Sequence, residues 1–303
     1  MNKEIIITAL FALVAMNMYT QQRLTVRDSI TQKPIAYTSV WFGNNTGGYT
    51  DESGMIEIPE GTKQIRLSHI CYETKNIDKV APDSQTIFLA PISINLDEVD
   101  VSAKAPKLIK TTKVGLMKAK TQTKHKGANG FEMALFIPYD NTWTETPYIH
   151  SILASLDYST HYLVFTEIKN PIYATLRFDL RLPDAKTNAP KDKSIIGGGI
   201  ILPSSQRLGK DGIRLSHSIP FPQTGVFVVV EWITTAQVSE SYNLVPSLNM
   251  TLDEKENRTW NKKTFRGMDW MQEQNESAFQ NEEAQVFYKG RTPSAKLGLK
   301  ISK

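Results

Sequence analysis

The chain is poor in the residues through which chemistry usually shows itself. It holds one cysteine, Cys71, among 303 residues. No internal disulfide can form, so stability must come from a buried core. The thiol reads as a small apolar core residue in a strand-like run, with pairing between chains as the alternative. There are five histidines, His69, His125, His150, His161 and His217. None forms the H-E-x-x-H or H-x-x-E pair of a zinc peptidase. No G-x-S-x-G elbow is present, which argues against an α/β-hydrolase. Gly197-Gly198-Gly199 lacks the following Lys-Ser/Thr of a phosphate loop and reads as a hairpin turn or bulge. Ser216-His217-Ser218 is contiguous, and neighbouring side chains on a strand point to opposite faces, so it is not a triad. A net charge of +4 is too small to imply nucleic-acid binding. Past the first residues, no apolar run approaches the roughly 20 residues that span a bilayer, and no convincing helical stretch follows residue 126.

The one long apolar run is at the start. Lys3 precedes Ile5 to Met16, which only Thr8 interrupts. This segment is too short to span a membrane but suits the h-region of a signal peptide. Residues 1–20 are therefore expected to export the chain, as a signal-peptide helix that is then removed; an uncleaved anchor or a buried strand is the alternative. No cysteine follows that could carry a lipid anchor.

Residues 21–103 read as short strands separated by turns. Ala36 to Phe42 is rich in β-branched and aromatic residues. Gly43 to Gly48 and Thr50 to Gly54 are turn clusters, and Met55-Ile56-Glu57-Ile58 alternates. Ile65, Leu67, His69 and Cys71 fall on one face of a strand, and Ile87-Phe88-Leu89 and Val99-Asp100-Val101 close the set. Such spacing argues for an antiparallel sandwich. In order, Val26-Arg27-Asp28, Pro34 to Val40, Thr50 to Gly54, Ile65 to Tyr72 and Leu96 to Val101 resemble the carboxypeptidase-regulatory-like domain of exported Bacteroidota proteins, with Cys71 where that family usually has Gly. The resemblance implies a seven-stranded transthyretin-like sandwich without catalysis.

Between residues 104 and 126 the composition shifts. Lys104, Lys107, Lys110, Lys113, Lys118, Lys120, Lys124 and Lys126 occur with His125 and no acidic residue. Like charges repel and extend a chain, so this reads as an interdomain linker. As a basic strip it could instead meet an anionic glycan or membrane surface.

Residues 127–303 return to β patterning. Val226 to Ile233 is the strongest apolar run and the best candidate for a central buried strand, and Leu297 to Ile301 alternates to the end. The expected fold class is all-β: a transthyretin-like β-sandwich followed by a larger jelly-roll-like β-sandwich. Gly130 to Ala134, Ala174 to Phe178, Gly209 to Leu215 and Gly225 to Trp232 resemble the C-terminal region of uncharacterised exported Bacteroidota proteins, which implies a shared β-fold and no known activity.

Catalytic options are few. Glu145, Asp157, Glu167 and Asp179 lie on or beside expected strands, and a glycosidase needs two carboxylates about 5–10 Å apart. Asp51-Glu52-Ser53-Gly54 lacks the alternating oxygens of a calcium loop. Exposed Trp or Tyr could stack on sugars; Trp143, in a turn-rich stretch, is the best candidate for exposure, and Trp232 reads as core. The expectation is an exported, non-catalytic protein of the periplasm or outer envelope of a Gram-negative bacterium, without cofactor or metal. Its partner would be an envelope protein or polysaccharide, with no nucleic acid and no transmembrane span in the mature chain. The alternatives are a glycan or peptide hydrolase and an accessory subunit of an outer-membrane uptake system.

Overall fold

A computed structural model of the chain describes residues 22–81, 85–92, 110–158, 174–203, 205–234, 245–253, 257–273 and 291–302. The expected leader at 1–20, the expected closing strand at 99–101, Lys104, Lys107, His161 and Glu167 lie outside them. Among the described residues the chain is all-β, with one short 3₁₀ turn at Thr264–Arg266.

The first sandwich has two sheets. In one, β1 (Gln22–Asp28) lies between β4 (Met55–Ile58) and β7 (Gln85–Leu89), antiparallel to the former and parallel to the latter. The other runs β3-β2-β5-β6, from β2 (Ser39–Gly43), β3 (Thr46–Tyr49), β5 (Ile65–His69) and β6 (Tyr72–Ile77). Alternation turns Leu24, Val26, Val40, Ile56, Ile65 and Leu67 into the core between them. The turn signals have visible causes. Asp28 Oδ1 accepts from the amides of Ile30 (2.7 Å) and Thr31 (2.8 Å), and its Oδ2 accepts from Tyr72 Oη at 2.8 Å. These bonds, led by that from Thr31, hold its carboxyl below the usual range. Asp51 Oδ1 likewise accepts from Ser53 and Met55, closing the turn on Gly54. The β2–β3 hairpin turns on Asn44 and Asn45, both at positive φ (49° and 61°), the backbone that a two-residue hairpin loop requires.

Counted afresh in chain order over its eight main strands, leaving aside the shorter additions, the second sandwich has a 1-8-3-6 sheet and a 2-7-4-5 sheet, the jelly-roll order. The first is β8-β22-β11-β16: β8 (Thr111–Gly115), β22 (Leu297–Ser302), β11 (Tyr148–Ala154) and β16 (Ile213–Pro220). The second is β10-β17-β13-β14: β10 (Phe131–Ile137), β17 (Val226–Ile233), β13 (Thr175–Pro183) and β14 (Pro190–Ser194). It is extended beyond β10 by β19 (Thr259–Lys263) and β20 (Met271–Gln272), and β15 (Ile200–Leu202) pairs with β13. A smaller sheet joins β9 (Thr123–Lys126), β12 (Leu156–Asp157), β18 (Ser247–Thr251) and β21 (Ser294–Ala295). Inner faces meet through residues such as Met133, Phe178, Val228, Val230, Trp232 and Leu299. Every residue of β17 is buried, so its outer face is covered as well as its inner one.

Two expectations are corrected. Of the stretch read as a linker, Thr111–Gly115 pairs with β22 and Thr123–Lys126 with β18; outward lysines alternate with residues that face the sandwich. Cys71 is not on a strand face, because β5 ends at His69 after a register shift. It occupies the turn into β6, and its thiol donates to the carbonyl of Gly197, 3.4 Å away in the second sandwich.

Candidate functional site at the seam between the sandwiches

The outer face of the larger sheet carries charge where a sheet open to water on neither side should carry none. Register places Arg177, Glu231 and Glu132 side by side across β13, β17 and β10. Asp179 and Arg181 follow on the same face of β13 by the two-residue repeat. All five are at most 6% exposed. Arg177 donates to Glu231 Oε2 at 3.0 Å and to the carbonyl of Tyr37 at 2.8 Å. Arg181 donates from Nε to Asp179 Oδ2 at 2.8 Å and brings Nη1 within 3.1 Å of Glu132 Oε2, a charge contact without hydrogen-bond geometry.

Two guanidiniums thus face three carboxylates, and hydroxyls supply the further donors. Ser194 donates to Asp179 at 2.5 Å, Thr264 to Glu132 at 3.0 Å and Tyr49 to Glu231 at 2.6 Å. Burial raises the Glu231 carboxyl against the pull of Arg177, and burial together with Glu231 holds the Tyr49 phenol well above its ordinary value. Arg181 stays charged because the neighbouring carboxylates outweigh its burial.

The cover is the first sandwich. Tyr37, Trp41 and Tyr49 pack with Ile201, Ile233 and Phe265. Phe265 is the wedge: Tyr49 meets it edge-on at 5.1 Å, and a Cβ on Gly47 or Gly130 would lie 2.1 Å or 2.4 Å from its ring. At the other margin Cys71 sits over the triple glycine, where a Cβ on Gly198 would fall 2.2 Å from its sulfur. Burial pushes this thiol up, and burial with Arg177 nearby pulls the His69 imidazole down to about 3.

Beside the wedge the seam opens into a cleft of about 530 Å³. The Asn45–Gly47 hairpin lines it from the first sandwich, and residues of the 125–131 segment with Lys263, Phe265 and Arg266 line it from the second. Lys126, Lys263 and Arg266 line it, and no carboxylate does among the described residues. His125 stacks on Phe131, with ring centroids 4.6 Å apart. Burial and then Lys263 bring its value down to about 4, so it is neutral at pH 7.

Of the lysines singled out from sequence, Lys126 is the one among the described residues that lines this cleft, and His125, named with them, lines it too. Lys110, Lys113, Lys118, Lys120 and Lys124 are exposed, and Lys124 pairs with Asp157. Trp143 is not an exposed platform, for it packs edge-on against Phe221 (5.0 Å) and Tyr139 (4.9 Å). Trp232 is core, with its Nε1 donating to the carbonyl of Pro246 at 2.8 Å. None of the five tryptophans is exposed. Of the considered carboxylates, Glu145 is exposed and Asp179 is locked by Arg181 and Ser194. His150 meets Ser218 at 2.5 Å through Nδ1, but its buried Nε2 has no hydrogen-bond partner among the described residues, so nothing orients the ring as a base. No group of three or more potential metal ligands occurs among the described residues, and no helix among them is long and apolar enough to cross a membrane.

The residues that build the seam carried one signal in the sequence. Glu132, Arg177, Asp179, Arg181 and Glu231 are charges inside runs otherwise apolar enough to be buried on both faces. No protein-family model, curated protein or solved structure matches this chain.

Proposed function

We propose that the chain is an exported, non-catalytic binding or scaffold protein of a bacterial envelope, recognising a polysaccharide or a protein. One observation carries this reading. The carboxylates best placed for chemistry, Asp179, Glu231 and Glu132, are held by two arginines beneath the first sandwich, whereas the open cleft beside them presents cations. A general acid or base must reach its substrate within hydrogen-bonding distance, and this burial denies these groups such access. The cleft offers a surface for recognition instead. The apolar leader at residues 1–20 supports export, and the regulatory-like pattern over residues 21–103 supports a docking module.

The test is to incubate the purified chain with envelope polysaccharide and with solubilised envelope proteins. Stoichiometric capture, with no new reducing ends and no new peptide termini, is the expected result. Turnover that disappears in an Asp179→Asn or Glu231→Gln chain would instead assign the hydrolase.

A further inference from the structure

We infer that the cleft at the seam is a binding site for an anionic sugar, a glycan unit bearing carboxylate or phosphate, gripped between the Asn45 hairpin and Lys126, Lys263 and Arg266. The inference deepens the recognition reading and rests on it.

The argument begins with charge. Three cationic side chains line one concavity and no carboxylate does among the described residues. Among the described residues Lys263 and Arg266 form no ion pair. Lys263 does act on Glu273, but that carboxylate accepts from Asn261 Nδ2 at 2.5 Å, and burial raises its carboxyl against the pull of Asn261 and Lys263. Cations gathered in a cleft repel one another and focus a positive potential, which an entering anion relieves.

Hydrogen-bonding capacity points the same way. Asn129 accepts the Thr234 amide at 3.1 Å through Oδ1, which leaves its NH2 to donate. With the ammonium and guanidinium groups, the cleft is rich in donors and wants a ligand rich in acceptors. Anionic groups are the strong acceptors for such donors.

Size and floor select the sugar. About 530 Å³ lies within the range for one small ligand, roughly 300–1,000 Å³. His125 and Phe131, stacked on each other, both line the cleft and give it an apolar floor, and the amides of Asn45 and Asn129 suit a sugar's hydroxyls. An acidic peptide would use the cations and leave the floor idle. The site lies between the sandwiches, so their docking through Phe265 is what creates it.

Isothermal calorimetry at low salt tests this with trigalacturonic acid, its methyl ester, glucose 6-phosphate and triglutamate. The chain should bind trigalacturonate or the sugar phosphate, and which of the two it prefers names the anion. The methyl ester, and a Lys263→Glu/Arg266→Glu chain, should each lose about tenfold or more in affinity. Lys126→Glu, at an exposed position, should shift affinity the same way, Lys210→Glu on a distant surface should not, and unchanged thermal melting shows each variant folded. Absence of binding to both sugar anions, or equal affinity in the folded charge-reversed chains, overturns the site; capture of envelope material by those chains would still uphold the broader reading. Triglutamate binding as tightly as the sugars overturns the sugar assignment in favour of an acidic peptide.

Discussion

Replacing Arg177 by Met tests the buried charge face directly. Methionine keeps most of the aliphatic stem and removes both of the guanidinium's bonds, to Glu231 at 3.0 Å and to the Tyr37 carbonyl at 2.8 Å. Breaking a buried pair on one side leaves an uncompensated charge and costs about 3–5 kcal/mol. Glu231 has one escape, which is to take up a proton. Its carboxyl is already raised by burial, and Arg177 is the largest influence pulling it down. A carboxyl raised in the folded state keeps a proton that the unfolded chain has released, so its contribution to stability is present below the ordinary carboxylate range and is lost as pH rises through the folded value. Without Arg177 that folded value climbs further. The deficit of the variant should therefore be largest near pH 7 and shrink toward pH 5. Urea unfolding followed by tryptophan fluorescence at both values measures it. Because Arg177 also ties the first sandwich to the second, the variant should unfold in two separated steps. A loss below about 1 kcal/mol at pH 7, or a deficit that does not narrow on acidification, would refute the buried network.

Other outcomes follow from single contacts. Gly198→Ala sets a Cβ 2.2 Å from Cys71 Sγ at a φ of +123° and should cost roughly 1–3 kcal/mol; adding Cys71→Gly should recover part of this in a double-mutant cycle. His125 should titrate by NMR at about 4, and Lys263→Ala should raise that value. Its imidazole is depressed on folding, so the unfolded chain takes the proton first; the stability it contributes is complete above its unfolded value of about 6.5 and is lost as pH falls toward the folded one. Trp143→Ala should lower stability by roughly 1.5–2.5 kcal/mol, about half the cost of a fully buried ring, and leave glycan binding unchanged.

Much of the scaffold was legible because its causes are local. The Asp28 and Asp51 turns follow from short carboxylates that accept nearby amides, and Val226 to Ile233, the best candidate for a central buried strand, is buried throughout. The jelly-roll order also agrees with the expectation from the second half's patterning, since strands that alternate between two layers give regularly spaced apolar runs. The lysine-rich segment misled for a physical reason. In a strand at a sheet edge every second side chain can face solvent, so Lys124 and Lys126 sit outward while the backbone of the same residues pairs with β18. Charge density registered the outward faces and missed the ladder. Cys71 misled similarly, because a register shift inside β5 moved it off the strand and into the opposite sandwich's glycine loop.

The seam was not legible because each half of it is meaningless alone. Tyr49, between two turn clusters in the sequence, has no evident role until Glu231, 182 positions later, receives its hydroxyl. Gly47 reads as a turn residue until Phe265 fills the space that it and Gly130 leave open. A signal did exist in the anomaly of Arg177, Asp179 and Arg181 at alternate positions of a strand whose other face is Leu176, Phe178 and Leu180. Alternation of charged with large apolar residues normally marks a sheet open to water on one face. Here β17, the neighbour of that strand, is apolar on both faces except at Glu231, and a charged face beside a fully apolar strand must be covered by something carrying its own hydrogen-bond donors. Tyr49 is such a donor. The same covering sandwich brings Asn45 into the cleft that Lys263 and Arg266 line, so the interaction that seals the acids away is also the one that shapes the cationic cleft. Loss of docking at Phe265 should therefore abolish anion binding even with every lysine in place.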